Sequence, residues 1–416
     1  MKNLTPLAKL VLMASTSLAF SASFGANAQE ADSLADAITN GDAYIDARLR
    51  AESVSQDNLN ENGFATTLRT KLGYKTGVWN GLSGVLEFEH SAEIAGGDYN
   101  NTINGKTTYP VIADPNHTEV NQAYLAYTGI EKTTVAVGRQ ALNLGNQRFV
   151  GTVGWRQNDQ TFDAAAVINN SIEDLTVVYS YVWNVNRIFG NDHPLGDLET
   201  KTNAIDVTYK GIKGLTIEAY GLLIDLDAIG AKGLNTNTFG ARISGSQDLD
   251  GGAKILYAAE YANQSDAAGN PLAYNSDYYN LEAGVGFKGF TVKGGIETLG
   301  SDNGIAGFST PLATLHKFNG WADKFLNTPA NGLRDIYGSA AYSVKDTGSE
   351  LDGTNITIIY HDFKSDVGSI HYGTEWDASI SKKIDRFNVL LKFARYNADL
   401  FSVDTTKFWA QVATKF

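Results

Sequence analysis

The chain has no cysteine, which removes disulfides, zinc thiolates and cysteine nucleophiles together. Methionine is nearly absent, at 2 residues, and proline is sparse, at 7. Charged residues make up only 19% of the 416 positions, few for a soluble protein. Past the first 28 residues there is no apolar run of about 18, so no membrane helix is encoded. The mean hydropathy of −0.21 is likewise too polar for a helical membrane bundle. A basic patch is also missing: the formal net charge is −13, which argues against nucleic acid as a partner. No pair of the six histidines has metal-ligand spacing such as His-x-x-x-His, so no metal site is expected. Gly-x-Ser-x-Gly is present only as the fragment Gly245-Ser246, and Gly294-Gly295 lies inside a strand pattern rather than in a phosphate loop. Neither supports an enzyme, and no cofactor is implied.

What is abundant is glycine, at 42, with 20 tyrosines and 19 phenylalanines. That suits many strands joined by tight turns. The first residues read as an export address. Lys2 and Lys9 are its positive end, Leu10 to Phe24 its apolar run, and Ala26-Asn27-Ala28 its small-x-small cleavage site. Cleavage there leaves a chain from Gln29 with two fewer positive charges. The expected division is a signal peptide at 1–28, a periplasmic lead-in at 29–41 and a barrel at 42–416.

The rest alternates with period two. In Tyr44-Ile45-Asp46-Ala47-Arg48-Leu49-Arg50-Ala51-Glu52, apolar and charged side chains fall on opposite faces. Thr67 to Lys75, Asn203 to Lys210, Phe290 to Glu297 and His371 to Ile380 repeat the pattern. Three features favour a closed membrane sheet over a soluble sandwich. The strands are long, about 10 to 14 residues against the usual 5 or 6. Aromatics recur near strand ends: Tyr44, Tyr74, Trp79, Tyr127, Tyr209, Phe287, Tyr342 and Trp376. Short and long connections alternate. The fold class is therefore all-β, a closed antiparallel transmembrane β-barrel of about 18 strands, or 16 if a weak one does not form. Strands are expected near 42–53, 64–77, 82–94, 118–129, 132–141, 160–169, 174–187, 201–211 and 214–227. The second half reads 236–247, 252–263, 276–288, 290–300, 334–345, 354–364, 369–383, 386–397 and 404–416. Short turns face the periplasm, and long loops near 94–117, 142–159, 188–200, 264–275 and 301–333 face outside. The last strand ends on Phe416, as do strands read by the barrel-assembly machinery, an expected partner beside outer-membrane lipid and lipopolysaccharide.

Two stretches carry a family resemblance. Gly138-Arg139-Gln140, then Gly145-Asn146-Gln147-Arg148-Phe149-Val150-Gly151, then Trp155-Arg156-Gln157-Asn158-Asp159-Gln160-Thr161-Phe162-Asp163 resemble the core of alginate-export-type outer-membrane proteins. The stretch Thr310 to Phe325 looks like the long loop of porins related to them. The resemblance implies an 18-stranded barrel; the family's named exporter passes a polyanionic uronate polymer through an arginine-rich constriction.

The expected pore lining follows from the alternation. Arg48, Arg50, Arg69, Lys71, Arg242 and Lys293 fall on inward faces, with Asp46, Glu52, Glu87, Glu89, Asp163, Asp206, Glu260, Glu282, Glu297, Glu375 and Asp377. Opposed charges would set a field across the pore and tune which solutes pass; paired across strands, they would simply satisfy one another. Arg139, Arg148 and Arg156 either line an infolded loop or pin it to the wall through Asp159 or Asp163. Leu312, Leu315, Phe318, Trp321 and Phe325 have near-helical spacing and are expected to form a short helix, either narrowing the pore or capping it outside. The function expected is passive diffusion of small hydrophilic solutes, with anionic ones as candidates. A polysaccharide exporter and an outer-membrane hydrolase are the alternatives.

Overall fold

The computed structural model describes residues 30–416; the expected signal peptide, 1–28, lies outside them. Eighteen antiparallel strands form one sheet that closes on itself. They are β1 (Asp42–Gln56), β2 (Gly63–Lys75), β3 (Leu82–Asp98), β4 (His117–Ile130), β5 (Thr133–Gln140) and β6 (Thr161–Asn169). Next come β7 (Leu175–Asn186), β8 (Asp197–Ile212), β9 (Leu215–Leu223), β10 (Thr236–Asp248), β11 (Lys254–Asp266) and β12 (Asn275–Phe287). The last six are β13 (Phe290–Leu299), β14 (Leu333–Ser343), β15 (Asn355–Lys364), β16 (His371–Ile384), β17 (Phe387–Ala398) and β18 (Thr405–Lys415). Each strand pairs with its sequence neighbours, and the seam is β1 on β18, from Asp46 opposite Lys415 to Gln56 opposite Thr405. Closure leaves no sheet edge unpaired in lipid.

The burial pattern is that of a soluble protein turned inside out. On β1, Arg50 and Glu52 are fully buried while Ile45 and Leu49 are exposed. Leu125, Leu281 and Val292 on other strands are more than half exposed. Apolar side chains facing outward need lipid against them, whereas charged side chains facing inward need partners or water. Aromatics expected at the rims do face out at Tyr127, Tyr209, Phe287 and Trp376. Tyr44 does not: it lies on the inward phase of β1 and its hydroxyl donates to Glu87 Oε2 at 2.5 Å.

Turns on one side are tight. Asn80 and Gly81 both have positive φ (49° and 78°), the backbone of a two-residue turn whose twist matches its flanking strands. A Cβ at Gly81 would sit 2.6 Å from Gly129 N. Residues ahead of β1 form the six-residue helix α1 (Leu34–Thr39), capped by Ser33. It rests on the β2–β3 turn through Gly77 N–H to Ala37 O at 2.8 Å. On the opposite side the connections are long, and two of them, 141–160 and 300–332, turn inward. Loop 141–160 enters where the wall is low: its flanking strands β5 and β6 have 8 and 9 residues, against 17 in β3 and 16 in β8.

Candidate functional site: the lumen constriction

Charge on the inner wall is uneven. Lys392 on β17, Lys407 on β18, Arg48 and Arg50 on β1, and Arg69 and Lys71 on β2 are all buried and occupy four neighbouring strands across the seam. Buried carboxylates are spread more widely: Glu260, Glu297, Asp335, Glu375 and Asp377 occupy β11 to β16, and Glu52, Glu87, Glu89, Glu119, Asp206 and Glu218 lie on β1, β3, β4, β8 and β9. Arg242 on β10 and Lys293 on β13 are each paired, Arg242 with Glu260 at 2.7 Å and Lys293 with Glu282 at 3.0 Å.

Six cations on adjacent strands would repel one another at considerable cost if left unpaired. Loop 141–160 supplies acceptors to the four on β1 and β2. Arg48 donates to Gln157 Oε1 and Gly154 O, both at 2.8 Å, and to Arg156 O. Arg50 donates to Trp155 O at 2.6 Å and lies 4.1 Å over the Trp155 ring. Lys71 is held by Asp159 and by Glu89 at 3.0 Å, and Arg69 by Asp46 at 2.5 Å. Asp159 is buried, which raises its pKa, but Lys71 and Arg69 outweigh this and hold it below the usual carboxylate range. The loop also sends two arginines into acidic sites. Arg156 meets Glu52 and Asp114, the latter at 3.1 Å. Arg148, fully buried, donates to Glu297 at 2.7 Å and to Asn319 at 3.1 Å. Both arginines thus act as cross-links between the loop and the wall.

Arg139 and Asp163 require a correction. They pair with each other at 2.7 Å, but not in the lumen. They are register partners on β5 and β6, in phase with exposed Val137 and out of phase with fully buried Ala136, Gln140, Phe162 and Ala164. Alternation therefore sends both side chains outward. Arg139 also donates to Val120 O at 3.1 Å, on the part of β4 that extends beyond its pairing with β5.

Loop 300–332 also enters the lumen, but not as the expected helix. Its only helical turn is the 3-10 turn Leu315–Lys317. Left-handed backbone at Asn319, Gly320 and Asp323 (φ 55°, 85° and 60°) breaks any longer one. Of the apolar residues singled out, Leu312 and Phe325 are buried, and Leu315, Phe318 and Trp321 partly so. Leu312 packs with Phe149, Val150 and Phe308 into an apolar core inside the barrel. Phe325 stacks on Phe401 at 5.2 Å. Phe318 lies under the Arg148 guanidinium at 4.7 Å, and Trp321 under Lys392 Nζ at 3.7 Å. Trp321 N–H donates to Asp377 at 3.1 Å and Ala322 N–H to Glu375 at 2.6 Å.

The two loops hold each other. Gly151 N–H donates to Leu312 O at 2.9 Å and Thr314 N–H to Gln147 O at 3.1 Å. The Trp155 and His316 rings stack at 4.4 Å. His316 Nδ1 lies 2.7 Å from Asp323 and its Nε2 lies 2.6 Å from Lys392 Nζ. The lysine can only donate, so Nε2 accepts and Nδ1 carries the proton. Burial lowers the His316 pKa, Asp323 opposes this and Lys392 reinforces it, leaving the imidazole at about 3. On the periplasmic side of this constriction, a polar cavity of about 230 Å³ is lined by Tyr44, Asp46, Lys71, Lys75 and Glu87, among others.

Lys392, Lys407, Asp335 and Asp323 were not among the residues expected from sequence. Lys407-Phe408-Trp409-Ala410-Gln411 does alternate, and that signal could have placed Lys407 inside. Lys392 follows Val389-Leu390-Leu391, where the alternation is lost.

Comparison with known proteins fits this architecture. Residues 45–297 match the family model described as alginate export. A closed barrel with a charged lumen and loops folded across it defines an outer-membrane β-barrel. The chain belongs to the alginate export family. Solved structures of the same fold include OccAB4 of Acinetobacter baumannii, at 16% identity and TM-score 0.72, covering 90% of this chain and 98% of that one. OpdL of Pseudomonas aeruginosa is 14% identical with TM-score 0.69, over 91% and 99% of the two chains. OpdK of the same organism, solved with vanillate, is 15% identical with TM-score 0.68, over 90% and 98%. Among curated protein sequences none matches significantly.

Proposed function

We propose that this protein is a passive channel for small hydrophilic solutes, anionic ones among them. The carrying observation is the uneven charge of the inner wall: six buried cations gather on β17, β18, β1 and β2, while β11 to β16 opposite them carry buried carboxylates. Such an arrangement sets a field across the constriction, so a solute passes according to its charge and dipole rather than size alone. The pore-lining set in this reading is Arg48, Arg50, Arg69, Lys71, Arg148, Arg156, Arg242, Lys293 and Glu297, to which Lys392 and Lys407 are added. Loops 141–160 and 300–332 form the constriction. The vanillate bound to OpdK is a small carboxylate of the class meant here. Exposed Phe416, whose N–H donates to Ile45 O at 2.9 Å, is the proposed contact for the assembly machinery, and residues 30–41 a periplasmic lead-in.

The test is steady conductance of the refolded protein in planar bilayers, with the reversal potential read under a salt gradient. A barrel that never conducts would remove the reading. Family membership favours a second one, export of a uronate polymer. Loss of the gene would then trap polymer in the periplasm, and the pore would strongly prefer anions.

A further inference from the structure

The tip of loop 300–332 binds the wall in an unusual way for a loop. Asp377 on β16, Ala394 on β17 and Lys407 on β18 are register partners in a single row. All three are buried, and Ala394 leaves the floor between acid and base low. Across two strand spacings the row runs about 10 Å from acid to base. The tip lies along it. Trp321 N–H donates to Asp377, and two residues on, the Asp323 carboxylate accepts from Lys407 at 2.8 Å. A donor at one end and a carboxylate at the other, about 7 Å of chain apart, amount to the charge pattern of a short zwitterion. Left-handed φ at Asn319, Gly320 and Asp323 holds the tip in this shape. Burial opposes ionisation of Asp323, but His316 and Lys407 more than offset it, so its pKa lies below the usual range.

The acidic end brings two buried carboxyl groups face to face. Glu375 is 0% and Asp377 1% exposed. Glu375 Oε2 and Asp377 Oδ1 receive no N–H donor among the described residues; the two carboxyl groups hydrogen-bond to each other instead, a contact that an ammonium would replace. Backbone N–H groups offer these carboxylates one hydrogen bond each, whereas an ammonium offers three donors and a full charge.

We infer that the row Asp377–Ala394–Lys407, with Glu375 beside it, is a binding site for a linear zwitterion of dipeptide length. Its ammonium meets Glu375 and Asp377, its carboxylate meets Lys407, and residues 321–323 are a tethered competitor for the same place. The inference rests on the channel reading and names its solute class. A solute of this kind displaces the tip and passes; a lone anion or cation matches only one end.

The experiment records ion current through the refolded full chain, with glycylglycine, N-acetylglycine or glycinamide added. Removing the competitor's charge by Asp323→Asn should lower the half-blocking concentration of glycylglycine about tenfold, because the competent state becomes more populated. Adding Lys407→Met should abolish the gain. Equal block in wild type and D323N, or equal block by N-acetylglycine and glycylglycine, overturns the site while leaving the channel intact. Absence of any current removes the channel reading and this one with it. The unmodified chain gives an independent measurement that needs no variant. Glycylglycine should speed amide hydrogen exchange over residues 316–325 and N-acetylglycine should not; no change with glycylglycine overturns the proposal.

Discussion

The two loops that enter the lumen meet opposite halves of the wall and answer them with opposite parts of the backbone. Loop 141–160 lies over the cations of β1 and β2: it turns carbonyl oxygens to Arg48 and Arg50, at Gly154, Trp155 and Arg156, and the Asp159 carboxylate to Lys71 and Arg69. Loop 300–332 lies over the carboxylates of β16 and turns N–H groups to them, at Trp321 and Ala322. A peptide unit carries both a donor and an acceptor, so either wall can be neutralised without spending a charged side chain. The loops differ in where they do use charge. The first sends out Arg148 and Arg156, which no backbone group could replace at a buried carboxylate, and Asp159 onto two cations. The second sends out Asp323, onto a single lysine and a histidine. The first loop is therefore the firmer one, and the second is the one held through a histidine.

The largest test of that difference is Arg148→Ala or Arg156→Ala. Each leaves a buried carboxylate, Glu297 or Glu52, without its cation, a loss of about 3–5 kcal/mol. Guanidinium unfolding of the refolded protein in micelles reads it directly. A loss under about 1 kcal/mol would show that water relieves the wall and that the loop is not cross-linked. Next comes pH. His316 is neutral in the docked loop down to about 3, while a free imidazole charges near 6.5. Between those values the undocked loop binds the extra proton, so docking is complete above 6.5 and weakens as pH falls toward 3. Asp323, held below its ordinary range, works in the same direction. The groups facing this pair are Lys392 and Lys407. Conductance should therefore rise on acidification, and His316→Phe should flatten the rise; a wild-type conductance flat from pH 7 to 4 contradicts it. Smaller still is Arg50→Gln, which removes one of the buried cations and should move the reversal potential by several millivolts toward cation preference. Arg139→Ala should leave the reversal potential unchanged, at a stability cost of about 1 kcal/mol or less. A shift as large as that of Arg50→Gln would put Arg139 back in the lumen.

The barrel was legible because period two is a strong signal in strands this long. Every strand expected from the sequence forms, with ends displaced by a few residues. β9 stops at Leu223 rather than continuing to 227, since Asn235 instead accepts the N–H of Leu226. The same alternation carried enough information to place Arg139 outside: it shares a phase with Val137. The resemblance drew it inside instead, because its Gly-Arg-Gln neighbours a loop that does enter the pore. The spacing of Leu312, Leu315, Phe318, Trp321 and Phe325 copied a helix while the backbone took another path. Those side chains face the wall, Arg148 and each other, and Asn319-Gly320 supplies the turn. Which loop residues meet which wall residues was not legible. Arg148 and Glu297 are 149 positions apart, and nothing local to either names the other.

The β1–β18 seam has a consequence for assembly. Its partners, such as Asp46 and Lys415, lie at opposite ends of the barrel-forming chain. Joining them closes the longest loop this polypeptide can make, so the cost in entropy falls on one late step rather than being shared among hairpins. Until that step two unpaired strand edges stay adhesive, open to pairing with a neighbouring polypeptide. A chaperone or membrane machine that shields those edges would therefore speed maturation more than any help given to the hairpins between them.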